Sequence, residues 1–306
     1  MTLLRASHIP PSIRKSLNAK ILRWYRETGR KLPWRRTSDP YRILVSEVML
    51  QQTQVSRVEE KYPEFIKRYP NIRALAHART SDVIRSWRGM GYNRRAVHLK
   101  RTAVEVVLNF GGKIPSDATV LRKLPGIGRY TANALLATAF KKRVAVVDTN
   151  IGRVLARLFR HNSGLSIEWE LADGLLPRSS ASEWNQALMD LGALVCTARS
   201  PRCDSCPVSR ECLSAFQPRI ELKKAPENEP SRRDIPDRLH RGKVIEILRS
   251  LNGRGRISER LLLKSILPTV RSGDLRWMRR LIGGLERDGL VSVYSNKNTH
   301  FVGLVK

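Results

Sequence analysis

"VCTARSPRCDSCPVSREC", residues 195–212, contains all four cysteines of the chain: Cys196, Cys203, Cys206 and Cys212. The spacing C-x6-C-x2-C-x5-C crowds every thiol into one loop. Zinc ribbons and fingers take two close pairs on separate turns, and here there is one close pair with a single cysteine on either side. A cubane cluster needs four thiolates wrapped around it, which one compact loop supplies. Disulfides fit a secreted chain. The N-terminal stretch "MTLLRASHIPPSIRKSL" has no apolar core suited to a secretory signal. No run of about 18 apolar residues suggests a membrane span. The expected compartment is the cytoplasm, where clustered cysteines read as metal ligands. Iron–sulfur is the leading reading and zinc the second.

Around this loop lies a very basic chain. Lys and Arg number 57 against 27 Asp and Glu, a formal charge of +30 over 306 residues. Such an excess repels itself and makes sense against a polyanion. Nucleic acid is the first candidate, an anionic membrane surface the second, and a basic surface without a fixed partner the bland alternative. The basic residues are spread along the chain, which favours a broad nucleic-acid footprint.

Apolar periodicity predicts helices almost throughout. Ile13, Leu17, Ile21, Leu22, Trp24 and Tyr25 mark one over 12–30. "KLPWRRTSDP" is a loop, "YRILVSEVMLQQT" runs helical, and "WNQALMDLGALVC" is a helix delivering Cys196. "RVAVVDTN" is a short run that reads as a strand. Prolines 218, 226, 230 and 236 mark 217–236 as a linker. Three helices and an alternating hairpin with a polar turn then follow over 237–306, the pattern of a winged helix. The expected fold is mainly α: a two-lobed helical domain over 1–216 and a small winged-helix-like α+β domain at the C-terminus.

"LPGIGRYTANAL" places Gly126 and Gly128 at the start of a helix. Glycines let the backbone turn tightly and bring its N–H groups to an anion, and the helix dipole adds positive charge. Such a turn grips a phosphate without reading sequence. A dinucleotide fingerprint needs a preceding strand and a third glycine, where this chain has Thr131.

Two acidic residues carry the chemistry. Glu47 sits among Ile43, Leu44, Val45, Val48, Met49 and Leu50. If the helix is buried, desolvation raises its pKa and makes it a general acid; the plain reading is an exposed helix edge. Asp148 reads as a helix cap.

The cysteine loop, the "LPGIG" turn and the two acids stand in the order found in the helix-hairpin-helix (HhH-GPD) base-excision DNA glycosylases, and the chain resembles that family over about residues 17–216. The resemblance implies a [4Fe-4S] cluster on Cys196, Cys203, Cys206 and Cys212. It also implies phosphate contacts from Arg199, Arg202 and Arg210. Glu47 would protonate the purine, Asp148 would stabilise the sugar cation, and Asn150 would support it. Tyr130 stands where endonuclease III has its Schiff-base lysine, so the expectation is a monofunctional glycosylase. "SEVMLQQTQV" is similar to the MutY-type adenine enzymes: Gln51 and Gln52 would fill the gap left by the turned-out base. Leu32, Trp34 and Arg35 would form the pocket entrance, Gln186 would contact adenine, and Tyr92 would wedge beside the lesion. Asn93 departs from the usual second aromatic. The structural alternatives are a loop-and-core role for "LPWR" and a solvated helix edge for the glutamines. The tail lacks the phenylalanine-serine-histidine motif of the family's Nudix-like domain, and a scaffold without DNA contact is its plain reading. The expected function is excision of adenine opposite guanine or 8-oxoguanine in duplex DNA, by a monomer. Thymine or uracil opposite guanine is the alternative target, and a catalytically silent iron–sulfur DNA-binding protein the alternative of another class.

Overall fold

The computed structural model describes residues 9–160, 165–217, 230–251, 255–296 and 299–306. The polar turn expected at the C-terminal hairpin and most of the expected linker lie outside these residues. Among the described residues the chain is mainly helical, and no helix is long and apolar enough to cross a membrane.

Local chemistry sets the helix ends. Pro11 starts the helix Pro11–Thr28, where its missing N–H costs nothing. Asn71, Asp117, Asp148 and Ser258 accept hydrogen bonds from backbone N–H groups in the first turns of the helices they precede. Gly111, at φ 60°, closes the helix Arg94–Phe110 in the left-handed conformation open to glycine.

By contact the chain divides into two units. The first comprises Met1–Glu47, Ser116–Lys123 and Ile127–Lys223. Its core joins Leu17 and Ile21 of the first helix to Ile151 and Leu155 of Thr149–Leu158 and to Trp184 and Leu188 of Ala181–Asp190. Each such buried side chain contributes about 1.5–3 kcal/mol. The run 144–147, expected as a strand, pairs with no strand. Side-chain amides replace the missing neighbour: Asn185 donates to Val144 O at 3.0 Å and accepts from Val146 N at 3.2 Å, and Asn133 donates to Ala145 O at 2.8 Å.

The second unit comprises Val48–Pro115, Leu124–Gly126 and Lys224–Lys306. Its helices Val55–Arg68, Ile72–His77, Thr80–Ser86 and Arg94–Phe110 bury Phe65 edge-on to Trp87, the ring centroids 5.7 Å apart. At the C-terminus, helices Asp237–Ser250, Glu259–Ile266 and Asp274–Arg287 are followed by strands Val291–Asn296 and Thr299–Leu304. These two strands pair antiparallel with Val293 opposite Val302, as the alternation predicts. A third, two-residue strand, Ile257–Ser258, pairs with the other edge of Thr299–Leu304 and was not legible in the sequence. Ile84 and Val97 join the C-terminal core around Val244, Ile245 and Leu248. Part of the stretch expected as linker is itself ordered. Ser231–Arg232 pairs with Ile235–Pro236, and Arg232 and Arg233 close on the buried Asp274.

Candidate active site and cysteine loop

The helix Pro40–Leu50 carries Glu47 one turn beyond the buried Ile43 and Leu44. Part of the Glu47 side chain touches solvent, yet its Oε2 is enclosed and has no hydrogen-bond partner. The Tyr130 hydroxyl, from the first turn of helix Arg129–Thr138, hydrogen-bonds the Glu47 carboxyl. Burial pushes Glu47 up to about 7, and the charge of Asp148 adds to the rise; the Tyr130 hydrogen bond and Arg35 oppose it. Burial, with the charges of Glu47 and Asp148, holds the Tyr130 hydroxyl well above its ordinary range, so it stays a neutral donor. Asp148 does cap its helix: Oδ1 accepts from Ile151 N at 2.7 Å, and Oδ2 accepts from the Asn150 amide at 2.9 Å. Glu47, Tyr130, Asp148 and Asn150 therefore form one connected group.

Arg35 enters this group from the turn Pro33–Arg36. Leu32 and Trp34, on either side of Pro33, are both buried at 5% exposure, so the turn is held by its apolar residues while Arg35 reaches Asp190. Its guanidinium donates to both oxygens of Asp190, each at 2.8 Å. Arg30 donates to the same carboxylate through its side chain and its backbone N–H, at 2.6–2.9 Å. The Asp190 side chain is fully buried. Burial alone would raise its pKa, but the bonds and charges of Arg35 and Arg30 outweigh that and hold it below the usual range. A carboxylate satisfied this completely fixes both arginines. Gln186 joins indirectly: the Tyr25 hydroxyl donates to its Oε1 at 2.8 Å, and Arg35 lies 5.7 Å from the Tyr25 ring centre.

Helix Ala181–Asp190 continues as one π turn, Leu191–Val195, which delivers Cys196. Cys196, Cys203, Cys206 and Cys212 line one cavity of about 220 Å³. Among the described residues no three cysteine, histidine or acidic side chains converge on a point that suits a single ion. The four thiols face one space, and their single close pair with a cysteine on either side fits a cluster better than zinc. Burial pushes Cys206 up to about 11 and Cys212 upward. Backbone N–H groups of Val208 and Ser214 oppose the rise, and the other thiols add like charge to it. A cationic iron core would resolve that crowding of thiolates. The cations Arg153 and Arg157 brace the loop. Arg157 donates to the carbonyls of Thr197 and Ala198 and lies 3.4 Å from Cys196 Sγ. Arg153 donates to Cys196 O, Gly192 O and Asn150 Oδ1 at 2.7–2.9 Å. The arginines expected at phosphates, Arg199, Arg202 and Arg210, are all exposed, and Arg202 also hydrogen-bonds the Leu194 carbonyl.

Gln51, Gln52 and Tyr92 form a separate group in the second unit. Gln52 is exposed at φ 54° and Tyr92 is 55% exposed at φ 42°, both in left-handed backbone unusual for side chains of their size. Arg95 holds them. Its buried guanidinium donates to the carbonyls of Val48, Met49 and Gln51, to Thr53 Oγ1, and to the carbonyls of Met90 and Gly91. Gly126 takes φ 75°, and Gly128 stands at the N-cap of helix Arg129–Thr138. A side chain at Gly126 would meet His98 at 2.9 Å.

Sequence reading did not find Tyr25, Arg30, Arg95, Arg153, Arg157 or Asp190. All but Tyr25 are ionic residues whose partners lie elsewhere in the chain, and a charged residue on a helix ordinarily reads as solvated. Asp190 carried one signal: an acid inside the apolar run "ALMDLGALV".

The geometry agrees with the comparisons. The profile of the HhH-GPD superfamily base excision DNA repair protein matches residues 45–171, and that of the iron–sulfur binding domain of endonuclease III matches residues 196–212. The adenine DNA glycosylase of Mycobacterium tuberculosis (strain CDC 1551 / Oshkosh) is 41% identical over 244 residues, 76% of this chain and 78% of that protein. The adenine DNA glycosylase of Mycolicibacterium smegmatis is 38% identical over 278 residues, 89% of this chain and 91% of that protein. The solved structure of a thermostable thymine-DNA glycosylase superposes with a TM-score of 0.63 at 34% identity, covering 66% of this chain and 96% of that one. With both profiles in order and relatives matched over most of their length, the chain belongs to the HhH-GPD superfamily of base excision DNA repair proteins, in the family of the adenine DNA glycosylases.

Proposed function

We propose that this chain is a monofunctional DNA glycosylase that turns adenine, mispaired with guanine or 8-oxoguanine, out of the duplex and hydrolyses its N-glycosidic bond. The observation that carries the reading is the enclosed Glu47 with its raised pKa, connected to Tyr130 and Asp148. Near neutral pH Glu47 holds a proton beside an enclosed oxygen, which is what protonating a purine leaving group requires. It gives that proton to a ring nitrogen of adenine, the bond to the sugar carbon breaks, and the base leaves neutral. Asp148 stabilises the positive charge left on the sugar. Water then adds to that carbon, and its proton returns to Glu47. Tyr130 has no amine with which to form a Schiff base, so the backbone stays uncut. It holds the Glu47 carboxyl in place, and Asn150 does the same for Asp148.

Leu32, Trp34 and Arg35 form the entrance wall, and Gln186 reads the base edge. Gln51 and Gln52 fill the space left in the helix and Tyr92 wedges beside it, using unstacking energy of a few kcal/mol per base. Gly126, Gly128 and the amides opening helix Arg129–Thr138 hold phosphates, as the charge of +30 favours. Cys196, Cys203, Cys206 and Cys212 would hold the [4Fe-4S] cluster, which when bound supplies a structural anchor presenting Arg199 and Arg210 to the backbone. The enzyme works as a monomer in the cytoplasm, on the chromosome.

The test is excision from duplexes carrying A·G, A·8-oxoguanine, T·G and U·G. The reading expects product from the two adenine pairs. The likeness to a thymine-DNA glycosylase supports a second reading, which product from T·G alone would establish. DNA binding without any product would make the protein a silent binder.

A further inference from the structure

We propose that Arg249, in the C-terminal helix Asp237–Ser250, sets the position of Tyr92 through Asn93, so that the C-terminal module is a positioning element for turning the base out. This rests on the reading of Tyr92 as the wedge.

Asn93 stands at the N-cap of helix Arg94–Phe110, where asparagine ordinarily accepts a hydrogen bond from the first turn. Its side chain makes no such bond. Its Oδ1 instead accepts from Arg249 Nη2 at 2.7 Å, across 156 positions of sequence. The same guanidinium donates twice to Ile84 O, at 3.0 and 2.8 Å, and pairs with Glu246. Arg249 is only 9% exposed, and burial lowers its pKa against the pull of Glu246. Burying a guanidinium is costly, and apolar contacts of Val244, Ile245 and Leu248 with Ile84 and Val97 already join these elements. What Arg249 adds is geometry: a planar fork with fixed donor directions holds Ile84 and Asn93 in one relation.

Those two residues bracket the stretch that ends in Tyr92. Tyr92 is in left-handed backbone and mostly exposed, a conformation that persists only when its neighbours fix it. On the helix side, Arg95 N donates to Tyr92 O at 3.0 Å, and the Arg95 guanidinium lies 5.6 Å from the Tyr92 ring centre. Between those two residues, Asn93 is held by Arg249. A wedge must be rigid before it meets DNA, since ordering it on contact reduces affinity. Arg249 is buried and acts through Asn93, so it is a positioning residue.

The test uses the full-length protein. Asn93→Ala removes one acceptor and leaves the Ile84 bonds and the apolar contacts intact. Base turning is read from 2-aminopurine placed at the adenine position opposite guanine, together with kcat/KM on A·G duplex. Asn93→Ala is expected to lower both by about tenfold, with Tm within about 2 °C of the parent. Asn93→Asp, which keeps the acceptor, is expected to restore them. Arg249→Met combined with Asn93→Ala is expected to be no worse than Arg249→Met alone, because both remove the same bond. In the DNA-free protein, amide exchange at residues 91–95 is expected to quicken by about tenfold in Asn93→Ala. Unchanged exchange overturns the proposal, as does base turning that falls only in step with Tm or in an additive double variant. A parent protein that cuts no adenine duplex, but whose exchange still responds to Asn93→Ala, sinks the adenine reading and supports this positioning role.

Discussion

The Tyr130 hydroxyl is hydrogen-bonded to the Glu47 carboxyl, whose Oε2 has no partner of its own. The enclosed oxygen without a partner leaves the acid one unused position. An incoming base nitrogen can occupy it.

Glu47→Gln is therefore expected to abolish excision, by about a thousandfold or more, and to stabilise the protein. Glu47 ionises near 4.5 in an unfolded chain and near 7 in the fold. Below 4.5 both states are protonated and the variant gains nothing. Between 4.5 and about 7 the unfolded chain ionises while the native state stays protonated, so the parent progressively loses stability that Glu47→Gln keeps, and the loss is complete once pH has risen through about 7. Above that pH the variant is expected to be more stable by about 3 kcal/mol, read from denaturant melts at pH 4 and pH 8. Equal stability at both pH values would refute it.

The pH profile of excision carries a second prediction. Activity needs the protonated acid, so the rate falls as pH rises past about 7. The Tyr130 hydrogen bond lowers the Glu47 pKa. Tyr130→Phe keeps the ring and removes the bond, so the falling limb is expected to move to higher pH. A limb that moves downward would show that Tyr130 has another role.

Asp148→Asn is expected to keep the helix cap, since asparagine caps as well as aspartate. Tm should change little and DNA affinity should stay within about threefold, while single-turnover excision falls by about a hundredfold or more, because the charge beside the sugar is gone. Unaltered turnover would remove Asp148 from the chemistry.

Oxidation followed by chelation is expected to bleach absorbance near roughly 400 nm and to lower Tm by roughly 5–10 °C. Cys196, Cys206 and Cys212 pack against the first unit's core, so the loss should appear there. The residues around Trp277 belong to a separate core and should melt as before. An unchanged Tm would make the cluster dispensable for folding.

Much of this was legible in sequence because it was local. The cysteine spacing, the cap at Asp148, and the alternation of the C-terminal hairpin are properties of neighbouring residues. Glu47 stood out as an acid in an apolar run. The parts that escaped are long-range bonds of charged side chains, to acids and to backbone carbonyls. Arg30 and Arg35 meet Asp190 across 160 and 155 positions, and Arg249 meets Ile84 across 165. No periodicity marks a charge whose partner is chosen by the tertiary fold. The strand expected at 144–147 failed for a related reason: the carbonyls of Val144 and Ala145 are satisfied by the side-chain amides of Asn185 and Asn133.

The π turn Leu191–Val195 joins the anchor of Arg35 at one end to the first thiol at the other. At Gly192 it lies so close to Asn150 that an added Cβ would sit 2.7 Å from that residue's own Cβ. Each residue inserted or deleted in a helix rotates everything beyond it by about 100°. The interval from Asp190 to Cys196 thus works as a fixed gauge: a change in its length would swing the metal loop away from the aspartate it shares a helix with.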